Sequence, residues 1–156
     1  MTMLPSSPFR ELQIIYRVLL YSQIGFWIIA LLLIQFNIFQ PFAAESLDRL
    51  LQVIAVFYSF IAVIVGLQLF RRRLESIKLL DIPARDKLIQ YKSASIVQWA
   101  LLEGAGIFCI ICYIITGNWS FLGLAIMLLA VFGGLNPFKQ KVMLQLRLSD
   151  TDVTGM

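Results

Sequence analysis

Apolar residues run through this chain in four long blocks separated by short charged stretches. A helix needs about 20 mostly apolar residues to cross the ~30 Å hydrocarbon core of a bilayer. Four blocks meet or approach that length: residues 18–39, 50–70, 95–116 and 119–135. The last is the shortest, with Pro137 just past its end. Backbone polar groups in lipid must be paired within their own segment, which selects helices. The pattern therefore predicts an all-α fold, a four-helix transmembrane bundle forming one domain over residues 1–156.

The stretch between the second and third blocks carries a helical pattern of its own. From Arg71 to Leu80, apolar residues fall at Leu74, Ile77 and Leu79 or Leu80, which is helical spacing. Asp81-Ile82-Pro83 is a break, and Pro83 suits the first position of a new helix. From Ala84 no breaker intervenes before the third block. We expect the second and third helices to extend out of the membrane as a cytoplasmic hairpin over residues 71–94. A solvated charged loop is the plainer alternative. Residues 149–156 are polar and are predicted to form a flexible tail.

The basic residues give the orientation. Arg10 and Arg17 precede the first block. Arg71, Arg72, Arg73, Lys78, Arg85, Lys87 and Lys92 lie between the second and third. Lys139, Lys141 and Arg147 follow the fourth. Only Arg49, of the 13 Lys and Arg, falls in the other set of loops, beside Glu45 and Asp48. Positive charge stays on the cytoplasmic side, so both termini and the hairpin are expected inside. The connection Gly117-Asn118-Trp119 leaves room only for a tight outer turn, and Trp119 and Phe121 suit the headgroup interface. Residues 1–17 lack the layout of a signal peptide, so the first span is expected to be retained.

Composition narrows the function classes. Hydrophobic residues make up 60% of the chain and charged ones 14%, too apolar for a soluble domain of this size to bury. The net charge of +4 is accounted for by topology, and no nucleic-acid partner is expected. With no His and two Cys, the usual imidazole and thiolate metal sites are out of reach, and no metal or cofactor is expected. The run Arg71-Arg72-Arg73 sets topology and can also draw anionic lipid at about 1 kcal/mol per residue.

One residue stands apart. Glu103 lies about 12 Å into the third block at 1.5 Å per residue, near the midplane. An ionised carboxylate there costs several kcal/mol. No Lys or Arg occupies a matching depth, so the neutral acid or a hydrogen bond to polar neighbours is favoured. Gln23 and Tyr21 on the first helix, and Tyr58 and Ser59 on the second, are the partners at similar depth. Ala100 and Gly106 flank Glu103 on its own helix, with Gly104 adjacent, and their small size leaves room for a partner helix or water. Two readings follow: a carboxyl that exchanges a proton or cation, or an interhelical hydrogen bond that fixes packing.

The same helix carries a second feature. Ala105, Cys109, Cys112 and Thr116 share one face nearly opposite Glu103, and small residues let helices approach closely in lipid. With two faces unsuited to lipid, this helix is expected at the centre of the bundle. Cys109 and Cys112 have C-x-x-C spacing, which suggests redox chemistry in a thioredoxin-like setting. Inside a span with no second pair of cysteines, packing is the reading we adopt.

The segment Ala100-Leu101-Leu102-Glu103-Gly104-Ala105-Gly106-Ile107-Phe108 resembles the carboxylate helix of rotary ATPase c-type proteolipid subunits. That resemblance implies that Glu103 carries a transported proton or sodium ion. It spans about nine residues, and the second block, Ala55-Val56-Phe57-Tyr58-Ser59-Phe60-Ile61-Ala62, departs from the Gly-rich proteolipid pattern with its single Gly66. As a whole the chain resembles small, uncharacterised four-helix proteins of bacterial inner membranes, which implies a location and no activity.

The sequence thus leaves two functional classes in play. One is a non-catalytic accessory or scaffold subunit of a larger membrane complex, with the lipid bilayer and other membrane subunits or its own copies as partners. The other is a self-assembled proton or cation channel or carrier that uses Glu103. Without His, an acidic cluster or paired carboxylates near the spans, an enzyme is not expected, and no small-molecule substrate is indicated.

Overall fold

The computed structural model describes residues 8–147. They form α1 (Pro8–Gln35), α2 (Glu45–Leu79), α3 (Ala84–Thr116), α4 (Trp119–Gly134) and α5 (Lys139–Leu146). α1, α2 and α3 are long and apolar enough to cross a membrane. α4 and α5, bent by 68° at their junction, make a fourth candidate if they count as one broken span. The chain is therefore an all-helical, membrane-spanning protein. The tail predicted over residues 149–156 lies outside the described residues.

α1 stops short of the end its apolar stretch suggested at Phe39. Asn37 takes the left-handed conformation (φ 52°), and the Asn37 and Ile38 amides turn back to Ile34 O and Leu33 O. That pair of bonds is a Schellman stop, with Asn in the position that usually takes Gly. The apolar residues on either side of Asn37, Phe36 and Ile38, are left exposed.

α2 and α3 are the longest elements, with 35 and 33 residues. At 1.5 Å per residue each is about 50 Å long. α2 runs unbroken to Leu79 and α3 begins at Ala84, with Pro83 as its N-cap rather than its first helical residue. A helical hairpin thus takes the place of a charged loop. Leu74, Ile77, Leu88 and Tyr91 are buried in it, and Phe70 meets Tyr91 edge-on at 5.4 Å.

The opposite end is pinned by the turn after α3. Gly117 sits at φ 68°, and a Cβ there would lie 2.7 Å from Pro41 Cγ, so this position takes only glycine without strain. The Phe42 and Ala43 amides donate to Ile115 O at 3.1 and 3.3 Å. Asn118 caps α4 by accepting from the Ser120 amide, and its Nδ2 donates to Asp48 Oδ2 on α2 at 2.8 Å. Trp119 is 64% exposed, as an interfacial residue would be. Phe121, expected beside it at the interface, is instead wholly buried. Two residues along a helix turn the side chain by about 200°, so the pair cannot share one face.

α3 lies at the centre, packed against α1, α2 and α4. At the junction with α4, Tyr16 stacks on Phe132 at 5.2 Å and meets Trp99 at 5.3 Å. The Tyr16 hydroxyl lies 3.2 Å from both Phe132 O and Gly133 O at the C-terminus of α4, carbonyls that also accept from the Leu135 and Asn136 amides. α5 then folds back on the base of the hairpin, burying Val142 and Leu146 one turn apart.

Candidate functional site

The seam between α1 and α3 holds Glu103. Its Oε1 is 2.9 Å from Ser22 Oγ on α1. Ser22 Oγ is also 2.8 Å from its own helix's Leu19 O. A hydroxyl has one proton to give. When that proton goes to Leu19 O, the Ser22 oxygen can only accept, and a protonated Glu103 completes the bond. When Glu103 is ionised, Ser22 turns its proton to the carboxylate and releases Leu19 O. The two arrangements differ by one proton on Glu103, and the Ser22 hydroxyl rotates to match whichever form is present.

Gln23, the next residue on α1, is 1% exposed and packs over Gly106. A Cβ at Gly106 would lie 2.2 Å from Gln23 Nε2, so the glycine makes the space the amide occupies. Neither the amide nitrogen nor the amide oxygen of Gln23 has a hydrogen-bond partner. A carboxyl, a hydroxyl and an amide with spare hydrogen-bonding capacity therefore share one seam.

The other residues proposed around Glu103 are distributed differently. Tyr21 is 68% exposed and faces away from the seam, one helical step of about 100° from Ser22. Tyr58 meets Phe108 edge-on at 5.5 Å, its hydroxyl 3.5 Å from where a Gly104 Cβ would sit. Ser59 is buried against Cys109, with Oγ 3.7 Å from Sγ. Ala100 is exposed, whereas Gly106 is buried. The two lie about 60° to either side of Glu103, which marks the edge of the buried arc of α3.

Ser22 was not among the candidates for Glu103. It lies one residue from Gln23 and its hydroxyl is the shortest polar group on α1 near that depth. Serine bonded to its own helix is common in spans, and only the helix crossing shows that this one also reaches a neighbour.

The small-residue face of α3 meets α2. Ala105, Cys109 and Cys112 are buried, and both cysteines are free thiols. On α2 the residues opposite are Ala55, Ser59, Ala62 and Gly66, all buried. Their 4-3-4 spacing repeats that of Ala105, Cys109, Cys112 and Thr116, and this second stripe is a signal the sequence carried. The Ser59–Cys109 contact and the approach of Gln98 to Gly66 fix the antiparallel register.

Beyond the spans, the hairpin exposes Arg71, Arg72 and Arg73. A groove of about 440 Å³ runs along its flank between Arg72, Arg73 and Ser76 on α2 and Gln90 and Ser93 on α3. Lys92 bridges to Glu11 on α1 at 2.7 Å, tying the base of the hairpin to the first helix. Tyr91 donates to Gln145 Oε1 on α5 at 2.8 Å. Burial pushes its phenol up to about 12, outweighing the opposite pull of the Ser95 hydroxyl, so at neutral pH it is a proton donor. Among the described residues, no three His, Cys, Asp or Glu side chains converge to hold a metal ion. Comparison with protein-family models, with curated proteins and with solved structures returns no match for this chain.

Proposed function

We propose that this chain is a non-catalytic integral membrane subunit, an accessory or scaffold component of a larger complex in a bacterial inner membrane. In this reading α4 and α5 complete a fourth span, both termini and the hairpin are cytoplasmic, and the hairpin is the part that meets partners. The observation that carries it is the hairpin. α2 and α3 are each about 50 Å long against a ~30 Å hydrocarbon core, so about 20 Å of each projects as a paired, rigid element. Leu74, Ile77, Leu88 and Tyr91 are turned inward along it and its arginines outward. A rigid basic projection suits an acidic protein surface, because complementary charge sets approach and register.

The experiment is the composition of the native particle, extracted gently without crosslinking. Unrelated subunits in fixed ratio are expected, and Arg72→Glu with Arg73→Glu should release them while leaving helix content intact. A particle made of this chain alone, as a closed ring or small oligomer, would sink the accessory reading.

A second reading keeps the channel or carrier. The observation in its favour is the Ser22–Glu103 pair with its two proton arrangements, next to the unpaired Gln23 amide. It is also the role that the likeness to the proteolipid carboxylate helix implies. In liposomes, Glu103→Gln should abolish proton or sodium flux under this reading. Under the accessory reading the wild-type chain shows no flux to lose.

A further inference from the structure

A cleft of about 330 Å³ opens where α2, α3 and α5 meet, at the hairpin end of the spans. Arg71 and Lys78 of α2 and Lys141 of α5 line it, and no Asp or Glu does. Neither Arg71 nor Lys78 has an ion-pair partner among the described residues. Glu75, exposed between them on the same helix, does not line the cleft. Lys141 reaches only a carbonyl, Gly134 O at 3.3 Å.

Deeper in, the lining is polar but uncharged. Tyr91 and Gln145 form one wall, already bonded to each other. Ser95 and Gln98, 2% and 3% exposed, form the floor. The Gln98 Nε2 has no hydrogen-bond partner, and an unmet buried amide donor is costly unless something accepts from it. Phe70, Leu74 and Trp99 continue the lining as an apolar wall.

We propose that this cleft binds one phosphate anion, carried by the headgroup of an anionic membrane lipid. Three cations without a compensating carboxylate call for an anion. Arg and Lys together with neutral donors match the several oxygens of a phosphate ester. The apolar wall beside them accommodates the start of an acyl chain, which a free phosphate would leave unused. Basic pockets between helices at the membrane surface are a recurrent setting for such headgroups. The cleft lies at the hairpin end whichever side of the membrane that end faces, and the site does not depend on the accessory reading.

Native mass spectrometry of the full chain in detergent tests this, with phosphatidylglycerol, phosphatidylethanolamine and inorganic phosphate offered separately. The expected result is one phosphatidylglycerol retained per chain, at least tenfold over phosphatidylethanolamine. Arg71→Ala with Lys78→Ala and Lys141→Ala should cut that retention at least tenfold. Gln98→Leu should cut it severalfold, whereas Arg85→Ala with Lys87→Ala, which removes charge elsewhere on the hairpin, should not. Lys78→Glu, exposed at the rim and harmless to folding, gives the same test by at least a threefold loss if the triple variant cannot be extracted. Displacement of the lipid by millimolar inorganic phosphate alone would assign the site to a free anion and overturn the lipid assignment. Equal retention by the wild type and the cleft variants, or equal loss in the Arg85/Lys87 control, would overturn the site itself.

Discussion

α3 meets α2 and α1 through two seams of opposite character. Against α2 it sets small on small: Ala105, Cys109 and Cys112 face a stripe of Ala55, Ser59, Ala62 and Gly66, all buried. Against α1 it sets polar on polar: Glu103 to Ser22, and Gly106 under the Gln23 amide. In lipid there is no hydrophobic drive between helices, so association rests on close packing and on hydrogen bonds. One helix here uses the first means on one side and the second on the other. The difference teaches where tolerance lies. A close-packed seam has no slack for added volume, whereas a polar seam with unpaired atoms already carries an unmet cost.

Substitutions can break this comparison, beginning with the largest expected effect. Ser59→Leu places a branched side chain where the two stripes touch, at the Ser59–Cys109 contact of 3.7 Å. Overpacking should lower stability by about 1–3 kcal/mol, read from reversible unfolding in detergent micelles. If Ser59→Leu unfolds like the wild type, the α2 seam is not close-packed and the contrast fails.

Glu103→Leu removes the interhelical hydrogen bond. Such bonds in spans average about 0.6 kcal/mol and reach about 1.7 kcal/mol, so a loss in that range is expected by the same measurement. A larger loss would make the carboxyl a principal determinant of the fold, and the two seams would differ less than their packing suggests.

Gln23→Leu is the smallest and the sharpest test. It deletes two unpaired polar atoms from the interior, and replacing an unmet polar group by an apolar one of similar size is close to neutral or stabilising. A stability change within about 0.5 kcal/mol, or a gain, is expected. A clear loss would mean that the amide is paired through bound water, and would move weight toward a hydrated path along α1 and α3.

How legible was this in the sequence? The three long helices were, because about 20 apolar residues between charges allow little else in lipid, whereas the fourth block forms only the 16-residue α4. The hairpin was legible too, since Leu74 and Ile77 keep helical spacing up to a proline break. The central place of α3 followed from its two faces unsuited to lipid. The end of α1 could have been found in Asn37, which fits a left-handed helix stop. α5 could have been found in the one-turn spacing of Val142 and Leu146 after Pro137, yet its fold-back onto the hairpin could not.

The candidate site divides in the same way. That Glu103 needed a polar neighbour came from the sequence alone, since a lone carboxyl in lipid is too costly to leave unpartnered. That the neighbour is Ser22, while Tyr21 looks outward and Ala100 lies on the exposed side, was decided by how α1 crosses α3. The cleft shared by Arg71, Lys78 and Lys141 was likewise beyond the sequence, because α5 brings its lysine to the other two only after the chain bends by 68° beyond α4. Hydrophobic length and charge order act within one segment, so the sequence by itself determined the three long helices. Contacts between helices depend on rotation and crossing, where a change of one residue turns a side chain by about 100°. Only the tertiary structure could settle those.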